Sequence, residues 1–129
     1  MADNQFDQVA QGFVQYYYAC FDDVQKRGEL RNVYTEMSLL TFQGRRYQGV
    51  TNIMEKLGAL GFQTVAHRVN SIEAQPTFNN SVLVQVAGEM VTDGETDKPV
   101  QFCETFTLTK VAGQESYFVL NDIFRILGF

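Results

Sequence analysis

The segment VQFCETFTLTKVAGQESYFVLNDIFRIL, Val100 to Leu127, decides the fold. In its first half Val100, Phe102, Glu104, Phe106 and Leu108 alternate with Gln101, Cys103, Thr105, Thr107 and Thr109. A period of two predicts a strand with one buried face. The second half repeats the pattern, with Phe118, Leu120, Asp122, Phe124 and Ile126 expected on one face and Val119, Asn121, Ile123 and Arg125 on the other. Gly113 supplies the turn between them. Upstream, the same alternation predicts strands over about Thr64 to Glu73 and Ser81 to Val91, with turn chemistry at Pro76 to Asn80 and Thr92 to Pro99. Long strands in succession, joined by short turns, predict an antiparallel meander. Its second face also carries apolar residues that so few helices cannot cover, which predicts a homodimer through the sheet.

Ahead of the meander the period changes. Phe6, Val9, Phe13, Tyr16, Tyr17 and Cys20 recur at helical spacing, with Asn4 as the expected N-cap and Asp7 near the positive end of the dipole. Gly28 interrupts the chain, and Glu29 to Tyr34 is predicted as a short second helix with Leu30, Val33 and Tyr34 inward. Ser38 to Phe42 and Arg45 to Gln48 form a predicted hairpin about Gln43-Gly44. Val50, Ile53, Met54, Leu57 and Leu60 then mark a third helix ending at Gly61. The expected class is α+β: one domain over residues 1–129, three N-terminal helices packed on a mainly antiparallel sheet. Eleven Phe and six Tyr in a chain of this size predict a bulky, irregular core that leaves an apolar cleft.

Composition excludes several functions. Fifteen acidic residues against ten basic, a net charge of −5, argue against nucleic acid, and Arg45-Arg46 is too short a basic run to alter that. No basic start followed by an apolar run, and no stretch near the roughly 18 apolar residues of a membrane span, is present; a soluble intracellular protein without membrane insertion is expected. Cys20 and Cys103 have neither metal-ligand nor disulfide-framework spacing and read as reduced structural thiols. There is no Gly-rich phosphate loop, nucleophile elbow or metal-spaced cluster, so no catalytic residue, cofactor or metal is assigned. His67, the only histidine, could act as an acid or base, although a lone strand histidine is more often a hydrogen-bonded binding residue. Asp122, set in a Phe-rich phase, could transfer protons or bond buried groups, and the second reading is preferred. Catalysis would need an unmarked set such as Tyr17, His67 and Asp122. The turn Thr92 to Lys98 exposes Asp93, Glu95 and Asp97, a solvated face unless an apolar cleft adjoins it.

The series Tyr16-Tyr17, Leu40-Thr41-Phe42, Tyr47-Gln48-Gly49, Glu55-Lys56-Leu57, Phe62-Gln63, Gln75-Pro76 and Asn121-Asp122-Ile123-Phe124-Arg125 resembles the nuclear transport factor 2 family, in the same order from about Phe6 to Phe124. The resemblance implies a cone-shaped, cystatin-like roll with an apolar cavity, dimeric through its sheet, with Gln85 and Ile123 at the dimer interface. It implies a nuclear import carrier that binds GDP-bound Ran and touches phenylalanine-glycine repeat nucleoporins, present in cytoplasm and nucleus and concentrated at the pore. Phe42 and Phe124 then match cavity positions, His67 a nearby family histidine, Asp93 and Glu95 the acidic rim, and Phe6 the aromatic that touches the repeats, with Phe42, Gln43, His67, Asp93, Glu95 and Phe124 expected to bind Ran. The family commonly has a glutamate directly after the aromatic of the first strand, where this chain has Gln43. Two other functions fit the same fold: an interaction module for an RNA-export or ribonucleoprotein scaffold, and an isomerase or dehydratase.

Overall fold

The computed structural model describes residues 5–127. Helix α1, Gln5–Asp22, is followed by a short 3-10 helix, Arg27–Asn32, then strands β1, Tyr34–Phe42, and β2, Arg45–Gln48, and helix α2, Val50–Gly58. Strands β3, Val65–Thr77, β4, Ser81–Thr92, β5, Val100–Lys110, and β6, Tyr117–Leu127, complete a single sheet of order β2-β1-β6-β5-β4-β3. All pairings are antiparallel except β1 with β6. That parallel pair joins the hairpin to the meander and sets Phe42 opposite Phe124 and Leu40 opposite Asp122.

The helices lie on one face. Val84, Val86, Phe102, Phe106, Leu108 and Val119 form the buried floor beneath Ala10, Val14, Tyr17, Phe21, Leu30, Ile53 and Leu57. Phe106 anchors the ring packing, with Phe13 and Tyr17 each 5.0 Å away between centroids. The opposite face is open, carrying Leu83, Gln85 and Ile123, the last 53% exposed.

The structure corrects several local expectations. The second helix is a six-residue 3-10 segment rather than Glu29 to Tyr34, because Tyr34 is drawn into β1 opposite Val119. In α1 the buried stripe centres on Ala10, Val14, Tyr17 and Phe21, so Tyr16, about 100° to one side, is 42% exposed. Helix α2 ends at Gly58, and the residues expected to complete it form a loop beside the cavity. In β6 the pairing with β5 shifts between Thr107↔Asn121 and Leu108↔Val119, leaving Leu120 as the extra residue of a bulge. A bulge inverts the strand's parity, so Val119 enters the core while Phe118 is buried outside it. The N-cap expected at Asn4 lies outside the described residues.

Turn positions follow local chemistry. Gln43 and Gly44 both have positive φ, 51° and 87°, as a two-residue I′ hairpin requires. Pro76 lies within β3 rather than after it, tolerated because β3 is an edge strand. Gly88 is dictated by approach: a Cβ there would fall 2.2 Å from the Arg68 carbonyl oxygen, beside the bulge between Val69 and Ser71.

Candidate functional site

Between α1, α2 and the curled sheet lies a cavity of about 200 Å³. Its wall is Tyr17 and Phe21 from α1, Leu40 and Phe42 from β1, Leu57 from α2, Phe62 from the following loop, and His67, Met90, Glu104, Phe124 and Ile126 from the sheet. Phe42 and Phe124 stack at 4.8 Å between centroids, and Phe102 lies 5.9 Å beyond. Their packing follows directly from the parallel register of β1 with β6. At the mouth, Lys56 Nζ sits 5.1 Å from the Phe42 ring and 5.6 Å from that of Tyr47.

His67 is fixed from one side. Its Nδ1 is 2.6 Å from Asp22 Oδ1, and its backbone N–H donates to Asp22 Oδ2 at 2.8 Å. The ring stacks on Tyr18 at 4.4 Å and meets Phe21 and Phe102 edge-on. Beneath the cavity runs a buried polar chain: Tyr17 and Tyr34 share a hydrogen bond of 2.7 Å, Tyr34 donates to Asp122 Oδ2 at 2.7 Å, and Tyr18 donates to Glu104 Oε1 at 2.7 Å. Burial pushes the Glu104 carboxyl well above the usual carboxylate range, and the charge of Asp122 adds to it. Burial also raises Asp122, while hydrogen bonds from Glu104 and Tyr34 pull it back. Burial thus raises both carboxyls, Glu104 the more, and a protonated Glu104 can share its proton with Asp122, whose Oδ1 has no conventional donor among the described residues. Asp122 itself does not line the cavity.

The structure brings Phe42, Phe124 and His67 together on this wall. Asp93, with φ of 52°, begins the β4–β5 turn, and its Oδ1 accepts the backbone N–H groups of Gln63 at 2.8 Å and Thr64 at 3.1 Å. It thereby ties the acidic turn to the loop that supplies Phe62. Glu95 is exposed in that same turn. Gln43 turns inward: its Oε1 accepts the Ile126 N–H at 2.6 Å, stapling the β1–β2 hairpin to the end of β6. Phe6 belongs elsewhere, in a surface depression with Pro76, Val82, Lys110 and Tyr117. Gln85 and Ile123 are on the open sheet face.

Sequence reasoning missed Glu104, Lys56 and Asp22 as parts of the site. Glu104 left a signal, a carboxylate between Phe102 and Phe106 in the buried phase of β5. Asp22 left none, because only the fold brings it to a histidine 45 positions away.

Residues 9–126 match the nuclear transport factor 2 (NTF2) domain. Nuclear transport factor 2 of Emericella nidulans is 43% identical over 128 residues, covering 98% of each chain, and that of Saccharomyces cerevisiae is 42% identical over 122 residues, covering 94% of each. The solved structure of nuclear transport factor 2 from Cryptosporidium parvum superposes with a TM-score of 0.87 at 34% identity, covering 95% of both chains. With the cavity, the curled sheet and a likeness spanning almost every residue in agreement, this chain belongs to the nuclear transport factor 2 family.

Proposed function

We propose that the chain is a non-enzymatic carrier that binds GDP-bound Ran and takes it into the nucleus. The observation that carries this reading is the joining of an apolar aromatic cavity to an acidic turn through Asp93. An aromatic side chain from a Ran switch segment enters between Phe42, Phe124 and His67. Desolvating that anchor supplies most of the affinity, while carboxylates at the mouth orient a basic partner and speed encounter. Asp93 Oδ2 has no partner among the described residues, and Glu95 is exposed beside it, so both remain available to cations. Gln43 spends its carbonyl oxygen on Ile126, so its contribution to Ran binding is to hold the mouth in shape. Nucleotide selectivity follows from the switch segment, which a γ-phosphate reorders.

Transit through the pore rests on weak, repeated contacts with phenylalanine-glycine nucleoporins at Phe6, doubled by a homodimer that closes the open sheet face over Gln85 and Ile123. Such a carrier works in cytoplasm and nucleus and concentrates at the pore. Calorimetric titration of the protein with Ran loaded with GDP or GTP tests the reading. Binding of the GDP form alone is expected, and equal or absent binding of both forms would sink the proposal.

A further inference from the structure

The wall of the cavity holds a buried ring nitrogen without a partner among the described residues. His67 is the single histidine of the chain, and its side chain is 3% exposed. Asp22 engages Nδ1, while Nε2, on a ring that lines the cavity, makes no hydrogen bond among the described residues. Two other polar groups of the wall are hydrogen-bonded. Tyr17 is bonded to Tyr34, Glu104 to Tyr18 and Asp122, and Lys56 lies over two rings at the mouth. Stacking on Tyr18 and edge contacts with Phe21 and Phe102 prevent the imidazole from turning away.

The space and this atom together define a ligand. A dry cavity of about 150 Å³ accepts benzene, and this one is about 200 Å³. One ring with a small substituent fits. With Nδ1–H donated to Asp22, a neutral imidazole offers a lone pair at Nε2; an imidazolium would offer an N–H. A hydroxyl satisfies either state, since it both donates and accepts. A carbonyl, an ether or a carboxylate only accepts, so each satisfies only the charged form. We infer that the cavity is a binding site for an aromatic ring bearing a hydroxyl, its ring against Phe42, Phe124 and Leu57 and its oxygen on His67 Nε2. The inference stands without Ran, and where both hold, the ligand and the Ran anchor exclude one another.

The test is calorimetric and NMR titration of the full chain with p-cresol, with toluene, and with N-acetyltyrosine amide. A purely apolar cavity prefers toluene, because burying an unpaired hydroxyl costs free energy. The expected result is the reverse: p-cresol binds roughly 3- to 10-fold more tightly than toluene, the weight of one net hydrogen bond. The ¹⁵N resonance of Nε2, unambiguous with a single histidine, should shift along the same isotherm. His67→Phe should retain toluene and lose the preference; if it does not fold, the wild-type comparison still decides. The amide distinguishes the sources: binding parallel to p-cresol admits a protein-borne tyrosine, and binding of p-cresol alone assigns a free phenol. Toluene binding as well as or better than p-cresol, an unmoved Nε2 resonance, or binding of neither would overturn the inference. Loss of Ran binding alone would not.

Discussion

Replacing Glu104 with Gln removes a buried acid while keeping its shape. The amide oxygen still accepts from Tyr18, and the amide N–H₂ can donate to Asp122. In the native chain, burial and the Asp122 charge raise Glu104 well above the ordinary carboxylate range. The unfolded chain loses this proton above about pH 4.3 while the folded chain keeps it. Stability from Glu104 is therefore complete at acid pH and declines as pH rises, by up to about 1.4 kcal/mol for each step of one in pH, until the folded-state pKa is passed. Glu104→Gln has no such proton to lose. The variant should match the native chain near about pH 4.5 and exceed it as pH rises, by about 1.4 kcal/mol for each tenfold difference in proton affinity between folded and unfolded chain. At an unfolding entropy of about 2.1 cal/mol/K per residue, each such step moves Tm by roughly 5 °C for a chain of this length. Urea and thermal unfolding of both proteins across this pH range measure it. Asp122 is coupled to Glu104, so the difference between the curves reports the titration of the pair. Parallel stability curves, or a native chain that gains on the variant with rising pH, would refute the shared-proton arrangement.

Asp93→Asn retains the oxygen that accepts from Gln63 and Thr64, and asparagine tolerates the positive φ there, so Tm should change little while the affinity for GDP-bound Ran falls and its salt dependence flattens. An unchanged salt slope would remove Asp93 from the partner contact. Gly88→Ala forces a methyl against the Arg68 carbonyl and should cost more than about 2 kcal/mol or abolish soluble expression, read by urea denaturation. For the homodimer proposed above, Ile123→Glu places a charge on the open sheet face and should shift the sedimentation profile to monomer without loss of helical circular dichroism; an unaltered dimer profile would remove this face from the contact.

Much of the fold is legible in the order of the residues alone. Strands β4, β5 and β6 begin and end within a residue of their expected bounds, because alternation over ten or more residues, closed by Gly, Pro or Asn, leaves little freedom of assignment. The Gln43-Gly44 hairpin is equally plain. Expectation and fold part where geometry depends on a neighbour. Period two places Phe118 with Asp122, yet the bulge at Leu120 exchanges Phe118 for Val119, and nothing in the local pattern marks that insertion. Tyr16 and Tyr17 are indistinguishable in hydrophobicity, and only the contact surface of the sheet decides that Tyr17 is 1% exposed and Tyr16 is not buried.

The sequence by itself determined the class of fold, the open face of the sheet and, through resemblance, the family and the aromatic wall residues Phe42 and Phe124. These depend on periodicity and on ordered motifs, which are properties of the chain. Tertiary structure alone decided the chemistry of the cavity. The Asp22–His67 clamp, the Glu104–Asp122 proton, the Gln43 staple to Ile126 and the Asp93 tie to Gln63 and Thr64 each join residues distant in sequence. Their hydrogen bonds form at separations of a few ångströms that no spacing along the chain encodes, and burial, which gives Glu104 its proton, exists only once the core has closed.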